Sequence, residues 1–187
     1  MAILDIVIYP NTVLRTKSEP ILEITEEIKE LAYNMIETMY HAPGIGLAAN
    51  QVGVAKRLIV VDVTSEEEKL SDPNHKPFIL INPEIVQTEG EINYEEGCLS
   101  IPDIREMVAR HNKITVKGLN IDGEEMTIDA EGLLAVCFQH EIDHIDGVLF
   151  IDHLTFLKKQ IIQNKLQMLI RSAHLLVRIV YYFSCCS

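Results

Sequence analysis

The chain has 187 residues, 48% of them apolar, and 16 basic against 28 acidic side chains for a formal charge of −12. Such a length and apolar content suit one domain with its own core, and the acidic balance excludes a general nucleic-acid binder, whose affinity rests on Lys and Arg neutralising phosphates. Every acidic residue lies at or before Asp152, so residues 1–153 carry 11 − 28 = −17 and the rest +5 from Lys158, Lys159, Lys165, Arg171 and Arg178, which directs any anionic partner to the tail.

Met1 to Pro10 has neither a basic region nor a long apolar run, so no signal or transit peptide is expected. Ile6 to Tyr9 reads as a short strand and Pro10-Asn11 as the turn after it. Ile28, Leu31, Ala32, Met35, Ile36 and Met39 then fall at i, i+3, i+4, i+7, i+8 and i+11, one apolar stripe of a helix. Thr25 is expected to cap that helix, Glu26 and Glu27 suit its positive end, and Pro43-Gly44 stops it. Gly44 to Gly53 is rich in Gly and Ala, which lets backbone approach a ligand closely, and Gln51 adds an uncharged amide donor. It lacks the G-x-x-x-x-G-K-[ST] pattern of a phosphate cradle. Leu58 to Val63 and Phe78 to Ile81 read as buried strands, the second ended by Asn82-Pro83, with Thr64 to Pro77 a solvated loop between them. Ile114 to Leu119 and Met126 to Ile128 flank Asp122-Gly123, a hairpin signal. Leu133, Leu134, Val136, Cys137, His140 and His144 continue one helical pattern up to Gly147. An order of helix, strands, helix, with no repeated strand-helix alternation, predicts an α+β domain with a mainly antiparallel sheet.

The last helix carries the chemistry. His140 and His144 are four residues apart and share a face, so both can close on one metal ion, with Glu141 beside it as a base for an attacking water. Leu133, Val136 and Cys137 share the face of His140 and serve equally as core or as the wall of an apolar pocket. A catalytic metal needs a third protein ligand. A thermolysin-like site takes a downstream glutamate, and none follows Glu141; a metzincin-like site matches at Gly147 but meets Phe150 at its last ligand position. His153 fits neither spacing. Upstream, Cys98 beside Gly97 offers a soft ligand for a Cys-His-His site; taken alone, a cysteine in such a strand-like stretch is usually a small buried hydrophobe, and the missing third ligand shifts that balance. Cys98, Cys137, Cys185 and Cys186 have no spacing that builds a disulfide framework, which points to a reducing cytoplasm.

Gly44-Ile45-Gly46-Leu47-Ala48-Ala49-Asn50-Gln51, Glu96-Gly97-Cys98-Leu99-Ser100 and Gln139-His140-Glu141-Ile142-Asp143-His144 together resemble the three motifs of the peptide deformylases, in order and with similar separations, from about the amino terminus to Leu157. The resemblance implies an α+β fold with antiparallel sheets packed around a central metal-binding helix, between an N-terminal and a C-terminal helix. It implies Cys98, His140 and His144 as ligands of Fe2+, with Zn2+, Ni2+ or Co2+ as replacements in the purified protein. It implies removal of the formyl group from the N-formylmethionine of nascent polypeptides, with Glu141 moving the proton and the Gln51 amide and the Leu99 backbone N–H holding the oxyanion. Methionine would sit against Leu133, Val136 and Cys137, the peptide backbone along Gly44, Ile45 and Gly46, and an anionic group or acidic neighbour on Arg105, which reads equally as a surface salt bridge. Residues 1–157 would form the catalytic domain. Residues 158–187 diverge: Leu154 to Gln167 suits a charged helix, while the apolar Leu169 to Ser187 is interrupted by Arg171, His174 and Arg178, so no membrane span is expected. In bacterial relatives the terminal helix docks on the ribosome, a role the basic tail would suit. The competing reading is a metallopeptidase built on the same H-E-x-x-H helix.

Overall fold

Leu58, Ile59, Val60 and Val61 form a strand whose four side chains are all fully buried. A strand alternates its side chains between two faces, so a run without a polar position needs cover on both. The computed structural model, which describes residues 2–72 and 75–167, shows how that cover is built. Its strands are β1 (Gly46–Ala48), β2 (Leu58–Val61), β3 (Phe78–Glu89), β4 (Ile92–Cys98), β5 (Ile101–Arg110), β6 (Lys113–Leu119) and β7 (Glu125–Glu131), and its helices α1 (Glu26–His41), α2 (Glu66–Ser71) and α3 (Leu133–Ile145). A five-stranded sheet runs β1-β2-β3-β6-β7 with every neighbour antiparallel, and β4 and β5 form a separate two-stranded sheet. Leu58 and Val60 pack with Ala32, Met35 and Met39 of α1; Ile59 and Val61 pack with Phe138, Ile142 and Ile145 of α3. Burying each such side chain contributes about 1.5–3 kcal/mol. The α+β class and the antiparallel sheet around a central helix are therefore as expected, and the stripe from Ile28 to Met39 faces the sheet.

Four local expectations change. Ile6 to Tyr9 is extended but forms no strand: Val7 N–H bonds Gln51 O (2.7 Å) and Tyr9 N–H bonds Ser100 O (2.9 Å), two different segments that give it no single ladder. Thr25 occupies the cap position of α1 without donating or accepting a cap bond; its side chain bonds Glu27 instead. Asn82-Pro83 does not end β3. Asn82 adopts φ 52° and the register with β6 shifts between Ile81 and Glu84, a bulge where Pro83, lacking an N–H, costs no ladder bond. Thr64 to Pro77 is not wholly loop: Ser65 accepts from Glu68 N–H and starts α2. The hairpin of β4 and β5 had no separate expectation, because its apolar positions alternate with Glu, Asn and Arg.

The chain divides into two units, Met1–Phe150 and Ile151–Ser187. Within the second, the backbone is helical over 156–167, as expected for that stretch. Leu169 to Ser187, with Cys185 and Cys186, lies outside the described residues. Among the described residues no helix is long and apolar enough to cross a membrane.

Candidate metal centre

Helix α3 begins and ends where only glycine fits. Gly132 at its start has φ 61° and ψ −129°. At its end Gly147 has φ 76°, Gly147 N–H bonds His144 O and Val148 N–H bonds Asp143 O (both 2.9 Å), a pairing that closes the last carbonyls. A Cβ on Gly147 would also lie 2.6 Å from Arg15 O. Gln139 ties the helix to the β5–β6 turn, accepting from His111 N–H (3.0 Å) and donating to His111 O (2.8 Å). Between these fixed points His140 and His144 present rings 5.0 Å apart.

Cys98 reaches them from the β4–β5 hairpin. Gly97 pairs with Arg105 but Cys98 with Ile101, so the register skips Pro102, Asp103 and Ile104, which form a bulge with Asp103 at φ 62°. Bulges re-aim neighbouring side chains; here Cys98 Sγ comes to 3.1 Å from His144 Nε2. One ligand atom from each of Cys98, His140 and His144 lies within 4.8 Å of the others, near enough for one ion given ligand bonds of about 2.0–2.3 Å. Gln51, in the 3-10 turn after β1, accepts Ala48 N–H on Oε1 (2.8 Å), which fixes its amide so that Nε2 points to Cys98 Sγ (3.5 Å) and Ser100 Oγ (3.3 Å).

Charged neighbours set the protonation of the cluster. His140 Nδ1 lies 2.7 Å from Glu96 Oε2, and a carboxylate only accepts, so Nδ1 carries the proton and Nε2 is left for a ligand bond. Burial pushes the Glu96 carboxyl up, but His140 and Arg110 outweigh it and hold the group below its usual range. Arg110 grips Glu96 with two bonds (2.6 and 3.0 Å) and Asp143 of α3 with another (2.5 Å). Burial likewise raises the Cys98 thiol, and the nearby His144 and His140 draw it well below an ordinary thiol. Cys137 goes the other way: burial, then Glu141, keep it protonated, and its Sγ donates to Ile45 O (3.4 Å). Burial lifts Glu141 to about 7 against the opposing pull of His140 and His144. Among the described residues, Glu141 Oε2 and His144 Nδ1 are buried with no hydrogen-bond partner, and a buried polar atom in that state calls for a further partner. A sulfur drawn toward thiolate, two imidazoles and an unpartnered carboxylate oxygen beside them fit a divalent ion with an exchangeable oxygen ligand.

A cleft of about 710 Å3 opens in front of this cluster, lined by Cys98, His140 and Glu141 together with Gln51, Leu99, Gly44, Ile45, Gly46, Arg105, Leu133, Val136 and Cys137. His144 lies deeper, 1% exposed, and is not part of the lining. Gly46 faces α3, where a Cβ would collide with Glu141 Oε1 and stand 2.8 Å from Cys137 Sγ. Arg105 is exposed at the cleft. Glu96 and Arg110 went unrecognised in the sequence. For Glu96 a signal exists, because it stands two residues before Cys98 in a strand and so shares its face; for Arg110 only the hairpin register supplies one.

A cleft that ends on a sulfur-and-imidazole cluster able to hold a metal ion, with a carboxylate alongside, has the parts of a metallohydrolase site. Comparison with known proteins narrows the class. The family model for polypeptide deformylase matches residues 3–160, and the chain belongs to that family. It is 52% identical over 165 residues to the peptide deformylase of Thermodesulfovibrio yellowstonii, covering 88% of this chain and 97% of that one. The same identity and length relate it to the peptide deformylase of Syntrophobacter fumaroxidans, 94% of which is covered. Among solved structures, the Legionella pneumophila peptide deformylase superposes with a TM-score of 0.82 at 42% identity over 92% of this chain and 98% of that one. The Ehrlichia chaffeensis enzyme, solved in complex with actinonin, gives 0.82 at 38% over 90% and 98%.

Proposed function

We propose that Cys98, His140 and His144 hold the metal ion with which this chain, as a metal-dependent hydrolase of the deformylase family, removes the formyl group from the N-formylmethionine of newly made proteins. When bound, the ion supplies Lewis-acid polarisation of the formyl oxygen and eases deprotonation of water. Glu141 takes the proton of the attacking water and passes it to the departing amine, releasing formate. The Gln51 Nε2, aimed by Ala48 N–H, and the Leu99 backbone N–H donate to the developing oxyanion and favour it over the planar formyl group. The formylated residue's side chain lies against Leu133, Val136 and Cys137. Beyond it the peptide runs extended along Gly44, Ile45 and Gly46, because β1 is an edge strand that can accept another strand. Arg105 meets an anionic group farther along the substrate.

The observation that carries this reading is the buried, unpartnered Glu141 oxygen beside the Cys98, His140 and His144 cluster. A helix of H-E-x-x-H type built for peptide-bond cleavage is disfavoured by the family match. Formate released from formyl-Met-Ala-Ser, with the unformylated peptide left intact, is the expected result; internal cleavage would select the peptidase. Fe2+ is the ion we assign by family, in a cytoplasmic enzyme whose catalytic domain is residues 1–157. Anaerobic purification should yield about one iron per chain and an activity lost in air, since ion and thiolate both oxidise. The basic tail is assigned to ribosome docking; unchanged ribosome co-sedimentation after deletion of residues 154–187, in an otherwise folded protein, would remove that role.

A further inference from the structure

Asp62 follows the last residue of β2 and touches both ends of the turn that lines the cleft. Its backbone N–H bonds Ile45 O (2.9 Å), the same carbonyl reached by Cys137 Sγ. Its carboxylate, 1% exposed, accepts Tyr40 Oη–H (2.5 Å), His75 Nε2 (3.0 Å) and Lys69 Nζ (3.2 Å) on Oδ2, and Thr64 N–H (3.0 Å) on Oδ1. Tyr40 is in the last turn of α1, and Lys69 stands 4.6 Å over its ring. The turn from Ala42 to Ile45 is thus clamped: at its start by α1, with Gly44 N–H on Met39 O (2.8 Å), and at its finish by Asp62. One residue grips α1 through its side chain and Ile45 through its backbone.

Stability alone does not call for this arrangement. Burying a charge is costly, and an apolar replacement of similar volume is often neutral or better. A fully hydrogen-bonded carboxylate instead fixes directions, which an apolar cluster does not. Gly44 and Ile45 line the cleft, so the quantity fixed is the position of the strand edge along which substrate lies.

We propose that Asp62, with Tyr40 and Lys69, is a positioning residue for substrate: it sets the place of the Gly44–Gly46 edge and so governs peptide affinity rather than the chemical step. This rests on the functional reading above. The test uses the metal-loaded full chain with Tyr40→Phe and Lys69→Met, neither of which touches the metal cluster. Steady-state kinetics on formyl-Met-Ala-Ser should show KM raised about fivefold, the low end for coupling between separate sites, with kcat and metal content unchanged. Hydrogen exchange at the Asp62 amide should accelerate in both variants. A normal KM accompanied only by a lower Tm would overturn the proposal, leaving the network a stabilising one, as would a fall in kcat at constant KM. Unchanged amide exchange would overturn it too. A wild-type protein that releases no formate would sink the functional reading instead, a result distinct from any of these.

Discussion

Helices α1 and α3 cover opposite faces of one sheet, and their buried polar groups are treated differently. On α1, Asn34 Oδ1 accepts Ala2 N–H (2.7 Å), and Thr38 Oγ1 donates to Asn34 O (2.7 Å) while accepting Leu4 N–H (2.9 Å). Those contacts fasten the amino-terminal segment and leave nothing over. On α3, Gln139, His140, Glu141 and His144 are all buried, and two of their polar atoms have no partner among the described residues. A folded core does not leave such atoms without another use. The α1 face meets its polar groups within the protein, whereas the α3 face leaves two polar atoms open, the arrangement expected if its residues do the chemistry proposed above.

The sharpest way to break that contrast is Glu141→Ala. Turnover of the formyl-peptide should fall by about 10²–10⁴-fold, the usual worth of a positioned acid–base group, with metal content retained; near-normal turnover would remove the proposed role. Gly46→Ala should cost about 100-fold in kcat/KM, because even a 1 Å misplacement is that expensive and the new Cβ displaces Glu141. Its circular dichroism should stay native, since the clash is with a side chain. Glu96→Gln weakens the acceptor for both His140 and Arg110. Metal affinity, measured by competition with a chelator, should drop about 10- to 100-fold. Met35→Ala probes the other helix: it should lose about 2–5 kcal/mol of stability in denaturant titration yet keep kcat at temperatures well below its Tm. Were Met35→Ala to lose activity in step with stability, the division of labour between the two faces would not hold.

Much of the fold was legible because it depends on periodicities. The 3.6-residue stripes of α1 and α3, the branched run of β2 and the Asp122-Gly123 turn each follow from local chemistry. Ile6 to Tyr9 misled because an extended, branched run resembles a strand whether or not a ladder receives it. Asn82-Pro83 misled because a bulge tolerates a proline that a regular ladder would not. The β4–β5 hairpin was missed because one face alternates with charge, and one of those charges, Glu96, is turned inward by its pairing with Arg110 and His140.

Residue type and spacing along the chain were enough to show an H-E-x-x-H helix, the lack of its usual downstream ligands, and three motifs in a known family's order. Folding in three dimensions was needed to bring Cys98, 42 residues before His140, within hydrogen-bond distance of His144, to set Glu141 where a side chain on Gly46 would lie, and to stand Arg110 and Glu96 behind His140. Those facts arise from strand register, bulges and close packing, which bring distant residues together through contacts that no local periodicity encodes.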